Sequence, residues 1–214
     1  MFNTPNANSH DQDNPRWNKW WIDGLIFQAI WFLAVGTQIW SLVFIAVVAW
    51  LVIRPMSFSL TVVSLIIAVM GMVVDQIFTQ LNWIAFRENY HLILGSVESS
   101  AQSSALFGVH WIPLWLVGLW LAFGRFMIIF LLSFNLPKWL ISVIFAVAAA
   151  ASYGAAEMWG VATLAWKDAV FVGLFVIWWA SLPLIGLLLI NTFASYQALH
   201  KNVNSTHLNS SNSE

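Results

Sequence analysis

The chain reads as an all-α bundle of six membrane-crossing helices, with five as the alternative count. Two observations carry that reading. Of its 214 residues 60% are hydrophobic and only 8% charged, against roughly 25% charged in soluble domains. The apolar residues also fall into runs of bilayer-spanning length separated by short polar connections. Little sequence is left over for a separate soluble domain.

Residues 1–21 are polar, rich in Asn, Asp and Pro, and are expected to form a flexible tail. Ala34-Val35-Gly36 resembles a signal-peptide cleavage site, but its depth in the chain and Asp23 in the apolar region argue against cleavage. As one helix, Ile22 to Ile53 would be roughly 48 Å long, well beyond a hydrocarbon core of about 30 Å. Two short spans, 22–35 and 39–53, broken at Gly36-Thr37-Gln38, fit better. Further spans are expected at 60–80, 113–134, 139–164 and 169–190, which completes a transmembrane domain over 22–190. Arg54-Pro55, the connection from Leu81 to His110, Asn135-Leu136-Pro137-Lys138 and Trp166-Lys167-Asp168 separate them. Residues 191–214 form a polar C-terminal tail, whose Asn204 and Asn209 sequons have no use on a cytoplasmic face.

Six spans place Arg16, Lys19, Arg54, Lys138 and Lys201 on one side and Arg87 and Lys167 on the other. Five against two orients both termini to the cytoplasm. Five spans would give four against three, which orients nothing, so the charges favour six.

Tryptophans near span ends, Trp17, Trp20, Trp21, Trp111, Trp139 and Trp166, fit an interfacial belt. Trp178 and Trp179 lie nearer mid-span and read as packing or lipid-facing residues. Ala148, Ser152, Ala156 and Gly160 recur every four positions in the fifth span, a small-residue ridge expected to pack closely against another helix and to make that span central.

The functional candidates are ionisable groups inside apolar runs. Arg125 near the middle of the fourth span costs at least ~2.5 to 3.5 kcal/mol to insert and needs a partner. Asp75 and Glu157, counted from their span midpoints, come out at one level where either answers it, and Tyr153 lies one turn before Glu157. Thr79, Gln76 and Gln80 add polarity beside Asp75, so a cavity open to the outer side is expected; the rival is a closed network that fixes helix register.

Several chemistries are excluded. With no cysteine there are no disulfides or thiolate sites. No Walker loop, GxGxxG, GxSxG or paired-histidine pattern occurs, so no reaction is indicated and no cofactor is expected. The Leu81 to His110 connection reads as a re-entrant or interfacial lid. Its Glu88, His91, Glu98 and His110 match no ligand spacing, and no metal is expected. The net charge of -1 leaves no nucleic-acid footprint.

The order of several weak motifs points to a family. Ile26 to Gly36 (IFQAIWFLAVG), Asp75 after Gly71, Pro113 to Phe123 (PLWLVGLWLAF), and Ser152-Tyr153 followed by Gly160 resemble the bacterial membrane proteins grouped as a domain of unknown function (DUF2878). The resemblance covers about Leu25 to Leu188. It implies a small polytopic inner-membrane protein of a Gram-negative bacterium without established activity, sometimes encoded near fatty-acid-modifying enzymes. Arg125 and the long Leu81 to His110 connection depart from the pattern, so only Asp75, Tyr153 and Gly160 carry over, and without roles.

Beyond the lipid bilayer itself, these readings converge on a small anionic or lipid-like molecule bound or moved through an intramembrane polar pocket. Arg125 would hold the anion, Asp75 and Glu157 would tune its charge, and Tyr153 would belong to the same cluster. The alternative is a non-catalytic membrane partner or scaffold for a lipid-modifying or fatty-acid-modifying enzyme, with the polar cluster purely structural.

Overall fold

In the computed structural model, residues 20–87 and 111–211 are described. The tail before Trp20, Trp17 included, and Glu88 to His110 lie outside them, and with these all of the expected lid but Leu81 to Arg87. The chain forms α1 (Trp20–Thr37), α2 (Trp40–Ile53), α3 (Phe58–Gln80), β1 (Ile84–Phe86), α4 (Leu114–Ser133), α5 (Lys138–Met158), β2 (Ala162–Leu164) and α6 (Ala169–Ser211). Five of these helices are long and apolar enough to cross a membrane. The sixth, α2, has 14 residues and a length of about 21 Å, short of the hydrocarbon core.

The break between the first two helices falls where expected. Gln38 adopts a left-handed backbone, φ 56°, and the Thr37 hydroxyl accepts from the Ile39 amide at 3.2 Å. The chain then turns back, so α2 runs antiparallel to α1 and returns Trp50 and Arg54 to the level of Asp23. We call this the near end of the bundle, and the end with the Gln38 turn the far end. The remaining helices alternate in direction between the two.

Helix α4 is the centre of the bundle, packing on α1, α2, α3 and α6. Close approach is licensed by small residues on α3. A Cβ on Gly124 of α4 would sit 2.3 Å from the Ser64 carbonyl oxygen and 3.3 Å from the Ala68 amide nitrogen, so two backbones meet there. This corrects the expectation that the fifth span is central. Helix α5 packs chiefly on α6, because much of its small-residue stripe faces open space.

The expected spans are also redrawn at the far end. Helix α5 stops at Met158, not Leu164, since Gly160 takes a left-handed φ of 71°. The Gly160 amide donates to Glu157 O at 2.8 Å and Val161 to Ala156 O at 2.9 Å, a Schellman ending. Gly160 thus terminates a helix and packs against none, and a Cβ there would meet nothing within 4 Å. Helix α3 ends the same way. Asn82 has φ 57°, its amide donates to Thr79 O at 3.0 Å, and Trp83 donates to Phe78 O at 2.9 Å.

The segments after these two endings pair as an antiparallel ribbon, Ile84 with Leu164, Ala85 with Thr163 and Phe86 with Ala162. Reciprocal bonds extend it, Arg87 N to Val161 O at 2.8 Å and Ala165 N to Trp83 O at 2.9 Å. The offsets are identical on both sides, so α3–β1 and α5–β2 are related by a local two-fold axis along the bundle. Helix α6 opens with the Asp168 carboxylate accepting from the Val170 amide at 2.8 Å. It continues as one helix to Ser211, beyond the apolar part that ends near Tyr196.

The two-backbone contact predicts opposite outcomes for two alanine substitutions. Gly124→Ala should cost about 1 to 3 kcal/mol through overpacking. Gly154→Ala, with nothing within 4 Å, should be neutral or stabilising by up to about 1 kcal/mol. Thermal unfolding in detergent reads both, and equal losses would contradict the α3–α4 packing.

Candidate functional site

Asp75 is the polar centre of the bundle, 2% exposed. Its carboxylate accepts from Trp120 Nε1 of α4 at 2.7 Å and from the Tyr153 hydroxyl of α5, 2.7 Å from either oxygen. One side chain therefore joins three helices. The sequence arranges this through position. Asp75 lies seven residues before Asn82 and Tyr153 seven before Gly160, so the ribbon brings both to one level. Gly71, one turn before Asp75, makes room for the indole, since a Cβ there would lie 2.1 Å from the Trp120 ring. Thr79 turns its hydroxyl to the Asp75 backbone carbonyl at 2.8 Å and stays off the carboxylate. Gln76 accepts from the Ile112 amide at 3.0 Å, fixing the entry to α4.

Beside this junction lies a cavity of about 290 Å³. Its wall is built by Phe27, Trp31 and Val35 of α1, one face of α4 from Trp115 to Phe130, and α5 from Ile144 to Ala156, with Phe86 and Trp179 completing it. Eleven of the nineteen lining side chains are aromatic. Stacked and edge-on pairs hold the rings, among them Phe27 on Phe126 at 4.7 Å and Trp120 on Trp179 at 5.4 Å. At the far end Trp159 packs on Trp31 at 5.6 Å, bridging α5 to α1. Ala148, Ser152 and Ala156 line this space, so the small residues leave room there in place of packing against another helix.

The predicted trio of Arg125, Asp75 and Glu157 is not brought together. Arg125, 2% exposed, points to the near end, where its Nη2 donates to the Arg54 carbonyl oxygen. Its guanidinium lies 4.8 Å from the centre of the Trp50 ring, a cation–π contact. The carboxylate in that cluster is Asp23, whose Oδ1 meets Arg54 Nε at 2.8 Å and Trp50 Nε1 at 2.9 Å. Glu157 lies at the far end, accepting from Trp166 Nε1 at 2.7 Å and from the Leu164 amide at 3.2 Å. It braces the turn into β2. Of the four residues assigned to one cluster, only Asp75 and Tyr153 touch, and Asp75, Arg125 and Glu157 all lie outside the cavity lining.

Sequence reasoning passed over Trp120, Trp50, Asp23 and Arg54. A signal existed for the first: Ser64, Ala68, Gly71 and Asp75 recur at helical spacing on α3, a small-residue stripe that ends on a carboxylate and calls for a long donor from the facing helix. Asp23 and Arg54 stand at the two ends of the stretch read as a helical hairpin, which pairs them once the hairpin closes. Among the described residues no three His, Asp or Glu side chains gather as a metal site.

A family model described as "Protein of unknown function (DUF2878)" matches residues 20–184, from the start of α1 into α6. No curated protein and no solved structure matches the chain.

The shared carboxylate predicts coupled losses. Tyr153→Phe should destabilise the protein by about 0.6 to 1.7 kcal/mol, the mean and the largest value measured for intramembrane hydrogen bonds, and Trp120→Phe by more, since it also removes part of the ring stacked on Trp179. The double variant should lose more than their sum, because Asp75 is then left without either donor. Simple additivity in unfolding measurements would show that the two bonds do not depend on each other.

Proposed function

We propose that this chain, which belongs to that family of unknown function, binds a lipid-like molecule inside the bilayer, in the aromatic cavity between α1, α4 and α5. One observation carries the reading: a cavity at membrane depth, near the lower end of the ~300 to 1,000 Å³ usual for ligand sites, walled almost wholly by apolar and aromatic side chains. Such a space is unfavourable for water and favourable for hydrocarbon. The Tyr153 hydroxyl and the Trp120 indole N–H on its wall are both turned to Asp75, so the carboxylate holds the wall together and leaves the binding surface apolar.

An anionic ligand held by Arg125 draws less support, since that guanidinium is engaged with Arg54 and Trp50 on another face of α4. The Arg125 cluster is better read as the clamp of the α1–α2 hairpin on α4. We place the protein in the bacterial inner membrane with both termini cytoplasmic. Arg54 and Lys138 stand at the near end with the start of α1, and Arg87 and Lys167 at the far end, in the sense of the positive-inside rule.

The test is mass spectrometry of lipids retained by the protein purified in native lipid discs. An apolar species enriched over bulk lipid is expected for the wild type and for Arg125→Gln, and lost in Ala148→Phe. Ala148 is exposed on the cavity wall, so the added ring enters open space. Enrichment that survives Ala148→Phe, or no enrichment at all, would overturn the proposal. Loss of a charged species in Arg125→Gln alone would restore the anionic reading.

A further inference from the structure

The shape of the cavity constrains what fills it more closely than "lipid-like" does. Its lining includes every turn of α5 from Ile144 to Ala156 and every turn of α4 from Leu116 to Phe130. The space is therefore drawn out along the bundle, and the rise from Ile144 to Ala156 is about 18 Å. Aromatic pairs stand at both ends, Trp31 with Trp159 at 5.6 Å at the far end and Phe130 with Phe145 at 5.4 Å at the near end. Spread over that length, 290 Å³ is a slot with a mean cross-section of about 16 Å². One extended hydrocarbon chain has that width, and a fused-ring body is broader. Volume gives the same answer independently. A cavity of about 150 Å³ takes one benzene ring, so this one takes about twelve carbon atoms. Laid end to end they reach most of the slot; folded double or fused into rings they would leave much of it empty.

Resting on the cavity reading above, we infer that the slot takes a single straight hydrocarbon chain, extended along the bundle, and that about twelve carbons fill it. Bilayer tails are as apolar as the wall, so the hydrophobic effect does not drive a chain from one to the other. Retention rests on packing, and packing is lost wherever the occupant leaves a void. Each added methylene therefore improves binding until the slot is full, and further ones gain nothing. Ile144 and Ala148 belong both to the lining and to the exposed side of α5. The slot is thus continuous with the lipid-facing surface, and the head group stays outside it. The chain comes from a single-chain lipid or from one tail of a two-chain lipid.

Octanol, dodecanol, octadecanol and cholesterol are competed against one another on the full chain in lipid discs, with occupancy read by native mass spectrometry. The wild type should prefer dodecanol to octanol by about three- to tenfold, through the dispersion contacts of four more methylenes. Octadecanol should bind no better than dodecanol, and cholesterol should displace neither. Ala148→Leu, which adds carbon to the wall at an exposed position, should remove the preference for dodecanol over octanol. Occupancy that keeps rising to octadecanol, displacement by cholesterol, or an unchanged dodecanol preference in Ala148→Leu overturns the single-chain assignment. Dilauroyl phosphatidylglycerol that displaces dodecanol would identify the source as one tail of a bilayer lipid, and failure to displace it a single-chain lipid; both results support the assignment. Binding that is lost in Ala148→Phe but indifferent to chain length overturns this inference alone. If no alcohol binds the wild type above the level seen with Ala148→Phe, the cavity reading falls as well.

Discussion

The rest of the bundle is arranged around the burial of one carboxylate. At membrane depth Asp75 has no water to solvate it, and each unsatisfied polar group there costs several kcal/mol. Its donors must therefore come from neighbouring helices, and they come from two, through Trp120 and Tyr153. That requirement explains Gly71, which no side chain could replace without displacing the indole. It also extends to the last helix, because the same indole stacks on Trp179 at 14°. Four helices are thus located relative to one acidic group, and two of them, α4 and α5, build most of the cavity wall together with α1.

Charge is handled separately, at the near end. Two guanidinium groups and one carboxylate, Arg54, Arg125 and Asp23, share a cluster roofed by the Trp50 ring. An intramembrane arginine without partners is expensive, and here the cost is offset by a backbone carbonyl, a ring face and the nearby ion pair. Breaking such a set by removing one member is more damaging than never having built it. The cluster also ties the short α2, which is too brief to be held by span length alone, to the central helix α4.

Much of the fold was legible. The apolar runs located the helices, and Gly36-Thr37-Gln38 located the break that makes a hairpin of α1 and α2. The far end of the fifth span was not, because Val161, Ala162 and Leu164 are as apolar in a strand as in a helix, and only Gly160 marks the stop. That error propagated into the site. The midpoint of 139–164 lies further along the chain than that of Lys138–Met158, so Glu157 was placed level with Asp75 when it belongs to the helix end. Counting from the two turn residues would have chosen Tyr153. The partner of Arg125 was unreadable for another reason: which way a helix is rotated depends on contacts from α1 and α2, and a long guanidinium reaches either neighbour. Donors such as Trp120 were hidden because an indole in a membrane helix fits the lipid interface equally well.

The twin endings of α3 and α5 have a mechanical consequence. Each helix is locked to the same ribbon at the same offset, so neither can slide along the membrane normal without breaking the reciprocal backbone bonds between Arg87 and Val161 and between Ala165 and Trp83. Helix α5 is further held along its length by α6 and, toward its Lys138 end, by Phe145 packed edge-on against Phe123 and Phe130 of α4. The ribbon thereby keeps Asp75 and Tyr153 at one depth.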